Sequence, residues 1–363
     1  MAQYRNINVR SPFYVQHPTS EPSTSLELRI WEGDVVTDKP SVANYTLSKE
    51  QQGGQSTFEI AEIIRDFCSQ TSTVTSGTVW VNTILNDGVV ATTATYLASE
   101  GYTLYKDGVQ HNGNSFESDF IALPNFVNTL DSKRQVLSDV GAFFAVYVQP
   151  QNATDWKFRY YQDGVALPWT SFAMSAQSSD MFRYQYLTNN ITRVEFDFNG
   201  TRGNVYTDLL ECNKWNSSVS NAFNDRAVSL MYVNKVGARS KMIFSLKHTE
   251  TINVTDTTFQ RNVMDTASLS NGAGLHASRR KITGSKQSFT INTDWLNEYH
   301  VGQLEELIMS EYVWAQIFSL GTSNYQPVNL KTSNFEKKNH LNDKLIQYTF
   351  DIETASEYIN TVR

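Results

Sequence analysis

The sequence predicts an all-β protein of tandem β-sandwich modules, immunoglobulin- or fibronectin-like, with a few short helices, and three observations carry that expectation. Aromatic residues supply 12% of the chain while charged residues supply only 18%, below the roughly 25% of an average globular protein. Thr, Ser and Asn are abundant; β-branched and aromatic side chains pack across a pleated face, and Asn, Ser and Gly close the turns between strands. Short segments alternate apolar with polar residues between turn signals, as half-buried strands do. At 363 residues the chain exceeds one ordinary domain of about 100–200 residues, so several modules are expected.

The first module is expected over 1–130. In "SLELRIWEGD", Leu26, Leu28 and Ile30 face one way and Glu27, Arg29 and Trp31 the other, the pattern of a half-buried strand. "SPFYVQHPTSEPSTS" before it reads as a short strand running into a Pro/Ser loop, and "VANYTLSKE", "STFEI" and "GTVWVNTIL" read as further strands. One helix interrupts them: "EIAEIIRDFCSQ" sets Ile60, Ile63, Ile64, Phe67 and Cys68 at helical spacing with Glu62 and Asp66 outward. "EGYTLYK" reads as the last strand before a Gly/Asn loop, and 122–139 as a connector.

The second module is expected over 131–215. Its "VYVQPQNATDWKFRYYQDG" echoes "FYVQHPTSEPSTSLELRIWEGD" in being strand, polar loop, strand and acidic-Gly turn, which is how a repeated supersecondary unit looks. "MFRYQYL", "ITRVEFDFNG" and "RGNVYTDLLEC" add strands. The third module, 216–363, opens with two strands in "AVSLMYVNKVGARSKMIFSL" around a tight "NKVGA" turn. The text from Lys247 to Lys286 is polar and Gly-containing, and is expected to be a long loop over 247–286, functional or mobile. Then come the strand "QSFTINT", a helix over 294–310 and the strand "YVWAQIFSL", so that a strand-helix-strand insertion sits in this last module. The closing strand "IQYTFDIE" is expected to bury Ile346, Tyr348, Phe350 and Ile352, and a short helix with Ala355, Ile359 and Val362 on one face to end the chain.

Composition and motifs exclude several chemistries. The net charge of -7 supplies no positive field to gather phosphates, so no specific nucleic acid is expected as a partner. The first residues lack a signal-peptide core and no apolar run approaches membrane-spanning length, so synthesis in a cytoplasm and no membrane anchor are expected. Cys68 and Cys212, far apart in sequence, read as reduced and buried. The histidines never recur at metal-binding spacing, no G-x-S-x-G is present, and "NGAGLH" lacks the third Gly of a phosphate-cradling loop. No catalytic, cofactor-binding or metal-binding residue is therefore assigned, and no cofactor is expected.

Three weaker signals remain. Asp351 and Glu353, two apart on a strand, stand about 7 Å from each other, a spacing between those of retaining and inverting glycosidases. Gln347, Thr349, Asp351 and Glu353 nevertheless form the polar face of an ordinary solvated strand, with no apolar pocket to raise one carboxyl pKa. "RRKITGSK", Arg279 to Lys286, is the densest basic run, and so few charges bind polyanions weakly, so a solvated loop edge is expected. Trp295, Tyr299 and Trp314 flank the expected helix and read as core packing ahead of a sugar platform, since aromatics are the main filling of β cores.

The third module carries a family resemblance. "SLMYVNKVGARSKMIF", "FTINTDWLNEY", "LEELIMSEYVWAQ", "QPVNLKTSNFEKKN" and "LNDKLIQYTFDIETASEYINTVR" resemble, in order and spacing, the C-terminal part of virion structural proteins of tailed bacteriophages from marine and gut bacteria. The resemblance covers about Val228 to Arg363, "NDKLIQYTFDIETA" being its most specific piece. "SPFYV", "LELRIWEGD", "YTLSK" and "FEIAEIIRDF" look like the companion N-terminal sandwich, and the middle module matches more loosely. A departure lies in "GARSKM", where Ser240, Lys241 and Met242 stand in place of an expected aromatic and leave the docking partner of the turn open.

The resemblance implies a non-enzymatic structural subunit of the virion, made in the bacterial host cytoplasm and placed in the neck, tail or baseplate. Its partners would be other virion proteins and copies of itself in a homo-oligomeric ring, with sheet edges available for augmentation and one heterologous interface reused around the symmetry. The rival expectation is a host-surface glycan- or receptor-binding module of the phage tail, using exposed aromatics such as Trp31, Trp80 or Trp169.

Overall fold

The computed structural model describes residues 5–68, 77–103, 143–147, 157–162, 164–171, 182–186, 191–197, 205–206, 228–244, 246–260, 264–265, 270–271, 278–293, 296–297, 301–317, 325–334, 336 and 345–358. The chain is mostly β, with several sheets and two helices among these residues. It divides into two compact units: Met1–Asn221 with Met231–Met242 and Gly302–Tyr312, and Ala222–Leu230 with Ile243–Val301 and Val313–Arg363. The module boundaries expected at 130 and 215, and the connector at 122–139, lie outside the described residues.

The N-terminal strands are β1 (Arg5–Asn8), β2 (Tyr14–Pro18), β3 (Ser23–Trp31), β4 (Tyr45–Glu50), β5 (Gln55–Glu59), β6 (Val79–Asn86) and β7 (Ala91–Ser99), with helix α1 (Ala61–Arg65) between β5 and β6. Five form a sheet in the order β1-β7-β6-β3-β4, and β2 pairs with β5 alone. Only β1 on β7 is parallel in this sheet. Leu26, Leu28 and Ile30 of β3 are buried as their alternation predicts, and they share one core with Val15 of β2, Phe58 of β5 and Ile64 of α1. β7 escapes the period-two rule for a physical reason. Ala91 to Thr93 are exposed, Ala94 and Thr95 half-buried, and its end, Tyr96 to Ser99, is buried on both faces, so burial rises along the strand instead of alternating.

Helix α1 is shorter than its apolar spacing predicts. It gives way after Arg65 to a turn in which the Phe67 and Cys68 amides donate to the Ile64 and Arg65 carbonyls at 3.0 Å. "EGYTLYK" holds no strand over Glu100–Thr103, and the rest of it lies outside the described residues. The backbone there is occupied otherwise: Tyr102 N donates to Lys235 O at 2.8 Å.

The middle strands are β8 (Phe143–Tyr147), β9 (Lys157–Gln162), β10 (Val165–Ala166), β11 (Thr170–Ser171), β12 (Phe182–Tyr186), β13 (Ile191–Asp197) and β14 (Val205–Tyr206). β8 pairs with β12, while β9 belongs to a sheet ordered β10-β9-β13-β14, with β11 also on β9. The two sequence segments that echo each other thus behave alike. In each, the first strand enters a two-stranded sheet and the second a larger one.

The remaining elements are β15 (Val228–Val233), β16 (Arg239–Phe244), β17 (Thr249–Gln260), β18 (Met264–Asp265), β19 (Ser270–Asn271), β20 (Ser278–Asn292), β21 (Leu296–Asn297), α2 (Val301–Met309), β22 (Val313–Ile317), β23 (Gln326–Leu330), β24 (Leu345–Ile346) and β25 (Thr349–Thr354). Seven strands form a sheet ordered β16-β15-β22-β23-β25-β20-β17. Phe350 and Ile352 of β25 are buried as expected, beside Phe289 and Ile291 of β20, and Phe350 meets Phe244 edge-on at 5.8 Å between ring centroids.

Three expectations need correction here. The segment 247–286 is not a long loop: β17 and the first half of β20 run through it as a paired ribbon. Both faces of β17 are exposed, so "TETINVTDTTFQ" lacks the apolar alternation that marks a half-buried strand, although its Thr, Ile and Val content favours extended backbone. The helix over 294–310 begins only at Val301, because Leu296 and Asn297 pair with β24 instead. Nor does a helix begin at Ala355. Tyr358 N donates to Ser285 O at 2.8 Å and draws this segment along β20, while Ile359 and Val362 lie outside the described residues.

Candidate functional site

Asp351 and Glu353 end up in different surroundings although they share a face of β25. Asp351 is exposed and accepts from Thr290 Oγ1 at 2.6 Å. Glu353 is only 6% exposed, which corrects the expectation that it decorates a wet face. The register explains this: Glu353 lies opposite Ser288 of β20 and Asn329 of β23, so Lys286 and Lys331, each two residues further on, reach over it diagonally. Lys286 Nζ donates to Glu353 Oε1 at 2.8 Å, and Lys331 Nζ pairs with Oε2. Hydrogen bonds from Lys286 and then Lys331 hold the Glu353 carboxyl below its ordinary value.

An open cleft of about 410 Å³ adjoins the trio, lined by Asn253, Thr255, Lys286, Lys331, Glu353 and Glu357 among others. A general acid for glycoside cleavage needs a raised pKa and an apolar wall. Glu353 has the opposite shift and polar surroundings, so it is not placed as that acid.

Two further polar clusters escaped the sequence reading. His17 Nε2 lies 3.2 Å from Asp87 Oδ2, and Thr19 Oγ1 donates to the same oxygen at 2.7 Å. Hydrogen bonds, the largest from the Val90 backbone amide, hold the Asp87 carboxyl well below its usual range. Ser56 is the cross-strand neighbour of His17 and is buried, but its Oγ makes no hydrogen bond among the described residues. A Ser, a His and an Asp therefore meet without the nucleophile-base hydrogen bond that catalysis requires, and the cluster reads as a pin between β2 and the β6-β7 turn.

The second cluster centres on Glu100, which is fully buried. Arg65 Nε stands 3.7 Å from Glu100 Oε1, and neither carboxylate oxygen accepts a hydrogen bond among the described residues. Burial raises the carboxyl pKa to about 7 against the opposing pull of Arg65 and Arg10. Arg10 in turn donates to Met309 O at 2.6 Å and lies 4.9 Å from the Tyr102 ring centroid, while Arg65 pairs with Glu311. These contacts tie the end of α2 to the strands, a role sequence spacing could not reveal because the partners lie far apart along the chain.

The "NKVGA" turn docks on the same neighbourhood, which answers the question left open at "GARSKM". Asn234 Oδ1 accepts from the Val236 and Ala238 amides at 3.1 and 3.0 Å, shaping the turn. Ser99 Oγ then donates to Val236 O at 3.0 Å. Gly237, at φ +87°, passes so close that a Cβ there would sit 2.8 Å from Ser99 Cβ.

The aromatic candidates are mostly core. Trp80 is buried with Nε1 donating to Gly33 O at 3.0 Å, and Trp31 is buried with Nε1 donating to Asp34 O at 2.9 Å. This corrects the expectation that both are exposed platforms. Trp314 is buried as expected, and Trp295 and Tyr299 lie outside the described residues. Trp169 is 37% exposed, and the Arg159 guanidinium covers its ring at 4.5 Å. Arg159 is itself held by buried Glu195.

His248 lies near the Phe289 ring, and His111, His276, His300 and His340 are outside the described residues, as is Cys212. Among the described residues no group of three His, Cys, Asp or Glu is placed to hold a metal ion. No helix among them is long and apolar enough to cross a membrane.

β17 and the first half of β20 form an exposed ribbon, on which "RRKITGSK" falls in a strand and not on a loop edge. Arg280 pairs across the ribbon with Asp256 at 2.8 Å. Comparison of the chain with protein-family models, with curated proteins and with solved structures finds no match.

Proposed function

We propose that this chain is a non-enzymatic structural subunit of a tailed-bacteriophage virion, in the neck, tail or baseplate, assembling with other virion proteins and with copies of itself. The observation that carries the reading, beside the resemblance of residues from about Val228 to Arg363, is the β17-β20 ribbon. All twelve residues of β17 are exposed, and a two-stranded ribbon is at best marginally stable by itself in water. An arm of this kind gains its stability by lying against a neighbour. The shared core of the five-stranded sheet and the β2-β5 pair also supports the finer fold reading, in which these are the two layers of an N-terminal immunoglobulin- or fibronectin-like sandwich.

The test is genetic and compositional. In a phage encoding the chain, purified particles are expected to contain it at fixed stoichiometry, and a nonsense mutation early in its coding sequence should arrest assembly. Complete, infectious particles lacking the chain would overturn the reading.

Recognition of a host-surface glycan is the second reading, and Trp169 is the observation that favours it, being partly exposed with the Arg159 guanidinium over its ring. A saturable hit on a glycan array that Trp169→Ala abolishes would transfer the assignment from assembly to recognition.

A further inference from the structure

The ribbon's outer strand has features that point to what it contacts. β17 is the last strand of its sheet, and among the described residues nothing pairs with its outer edge. Half the amides and carbonyls of an edge strand point away from its neighbour, a template for another chain. Natural edges are blunted by Pro or Lys, or twisted by bulges on the exposed strand. "TETINVTDTTFQ" holds neither Pro nor Lys. The register shift between Thr255 and Asp256 places its extra residue, Thr283, on β20 and leaves β17 itself continuous. By contrast the exposed edge strand β4 carries Lys49, whereas the charges on β17 are the two carboxylates Glu250 and Asp256.

One face of the ribbon also carries an exposed apolar line, flanked by Glu250 and Asp256. Ile252 lies opposite Gln287, Val254 opposite Ser285 and Asp256 opposite Ile282. These residues continue the side of β20 that buries Phe289 and Ile291. Where the core ends, that side runs on with Ile252, Val254 and Ile282 exposed by 46, 38 and 40%.

We infer that β17 pairs antiparallel with β17 of a second copy of this chain, about a two-fold axis at Val254, so that two ribbons become one four-stranded sheet. A second copy is the occupant that satisfies two identical edges at once, and the strand's charges fit this arrangement. With Val254 at the axis, Glu250 faces Thr258 and Asp256 faces Ile252 of the other copy, so no carboxylates oppose each other. Shifting the axis to Asn253 would set Glu250 against Asp256, and shifting it to Asp256 would set two Asp256 side chains together, both destabilising. Thr258 lies opposite Arg280, so in the chosen register the partner's Glu250 arrives in the row of a cation. The two copies also join their apolar lines, Val254 meeting its own counterpart. The inference rests on the arm reading above and adds the identity and geometry of one contact.

Analytical ultracentrifugation of the purified chain tests it. The wild type is expected to sediment at twice 41.2 kDa at tens of micromolar or above, and both Val254→Lys and Val254→Glu at the monomer mass, because each sets like charges at the axis. Mixing the two variants should restore the dimer, since Lys then faces Glu. Circular dichroism of each variant alone shows whether it folds, and rescue on mixing excludes misfolding as the cause of monomers. A wild type that is monomeric at all concentrations, dimers indifferent to both substitutions, or a mixture that stays monomeric would each overturn the pairing. If the isolated chain is monomeric while β17 is protected from hydrogen exchange inside purified particles, the self-pairing fails and the virion reading stands. Absence of the chain from particles would instead remove the virion reading and leave the pairing to the sedimentation result.

Discussion

Glu100 carries a titration consequence that falls between mildly acidic and neutral pH. Its carboxyl stays protonated to about pH 7 in the folded protein against an ordinary value of 4.5, so the folded state holds a proton that the unfolded chain has released. Stability contributed through this group is therefore fully present below about pH 4.5, falls as pH rises toward 7 and is level above. The size is on the order of 3 kcal/mol. Glu100→Gln is expected to match the wild type at pH 4 and exceed it at pH 8 in urea-unfolding midpoint, and an equal gap at both values would show that Glu100 is not the titrating group. Gly237→Ala should cost at least about 2 kcal/mol, because a Cβ meets Ser99 at positive φ; thermal unfolding reads the loss. Legibility differed sharply between residues. Leu26, Leu28 and Ile30 could be placed from alternation alone, since period two is a local property. Glu353 could not, because the lysines that shield it, Lys286 and Lys331, lie 67 and 22 residues away in sequence.

Elements were legible where burial was one-sided. β3 shows apolar residues inside and mixed ones outside, and β25 places Phe350 and Ile352 inside as its spacing predicts. β17 has no buried side and β7 ends buried on both, so neither presents the pattern from which strands are recognised. Helix α1 was recognisable in kind but not in length, since Ile60, Ala61 and Ile64 are buried whether or not the turn after Arg65 remains helical. Ile64→Ala should destabilise by about 2 to 4 kcal/mol, as deletion of a fully buried aliphatic side chain does. Glu62→Ala, on the exposed side, should stay within about 0.5 kcal/mol. A loss of comparable size at both positions would mean that the helix does not pack as described.

For the whole molecule, self-pairing makes stability depend on concentration. A ligand that binds only the folded state raises apparent stability by mass action, and here the ligand is another copy. The melting temperature is expected to rise by several degrees from micromolar to hundred-micromolar protein, and Val254→Lys should remove that dependence while leaving the low-concentration value unchanged. A concentration-independent wild type would argue against association of any kind. The sequence by itself determined the β class and which residues of β3 and β25 turn inward, because strand alternation is written along the chain. Only the tertiary structure decided that Trp31 and Trp80 are core, that the "NKVGA" turn rests on Ser99, that Thr249–Gln260 and Ser278–Lys286 pair as a ribbon and that Glu353 lies under two lysines. Each of these depends on which distant strands become neighbours, and that is set by the packing of the sheets, not by the residues adjacent in sequence.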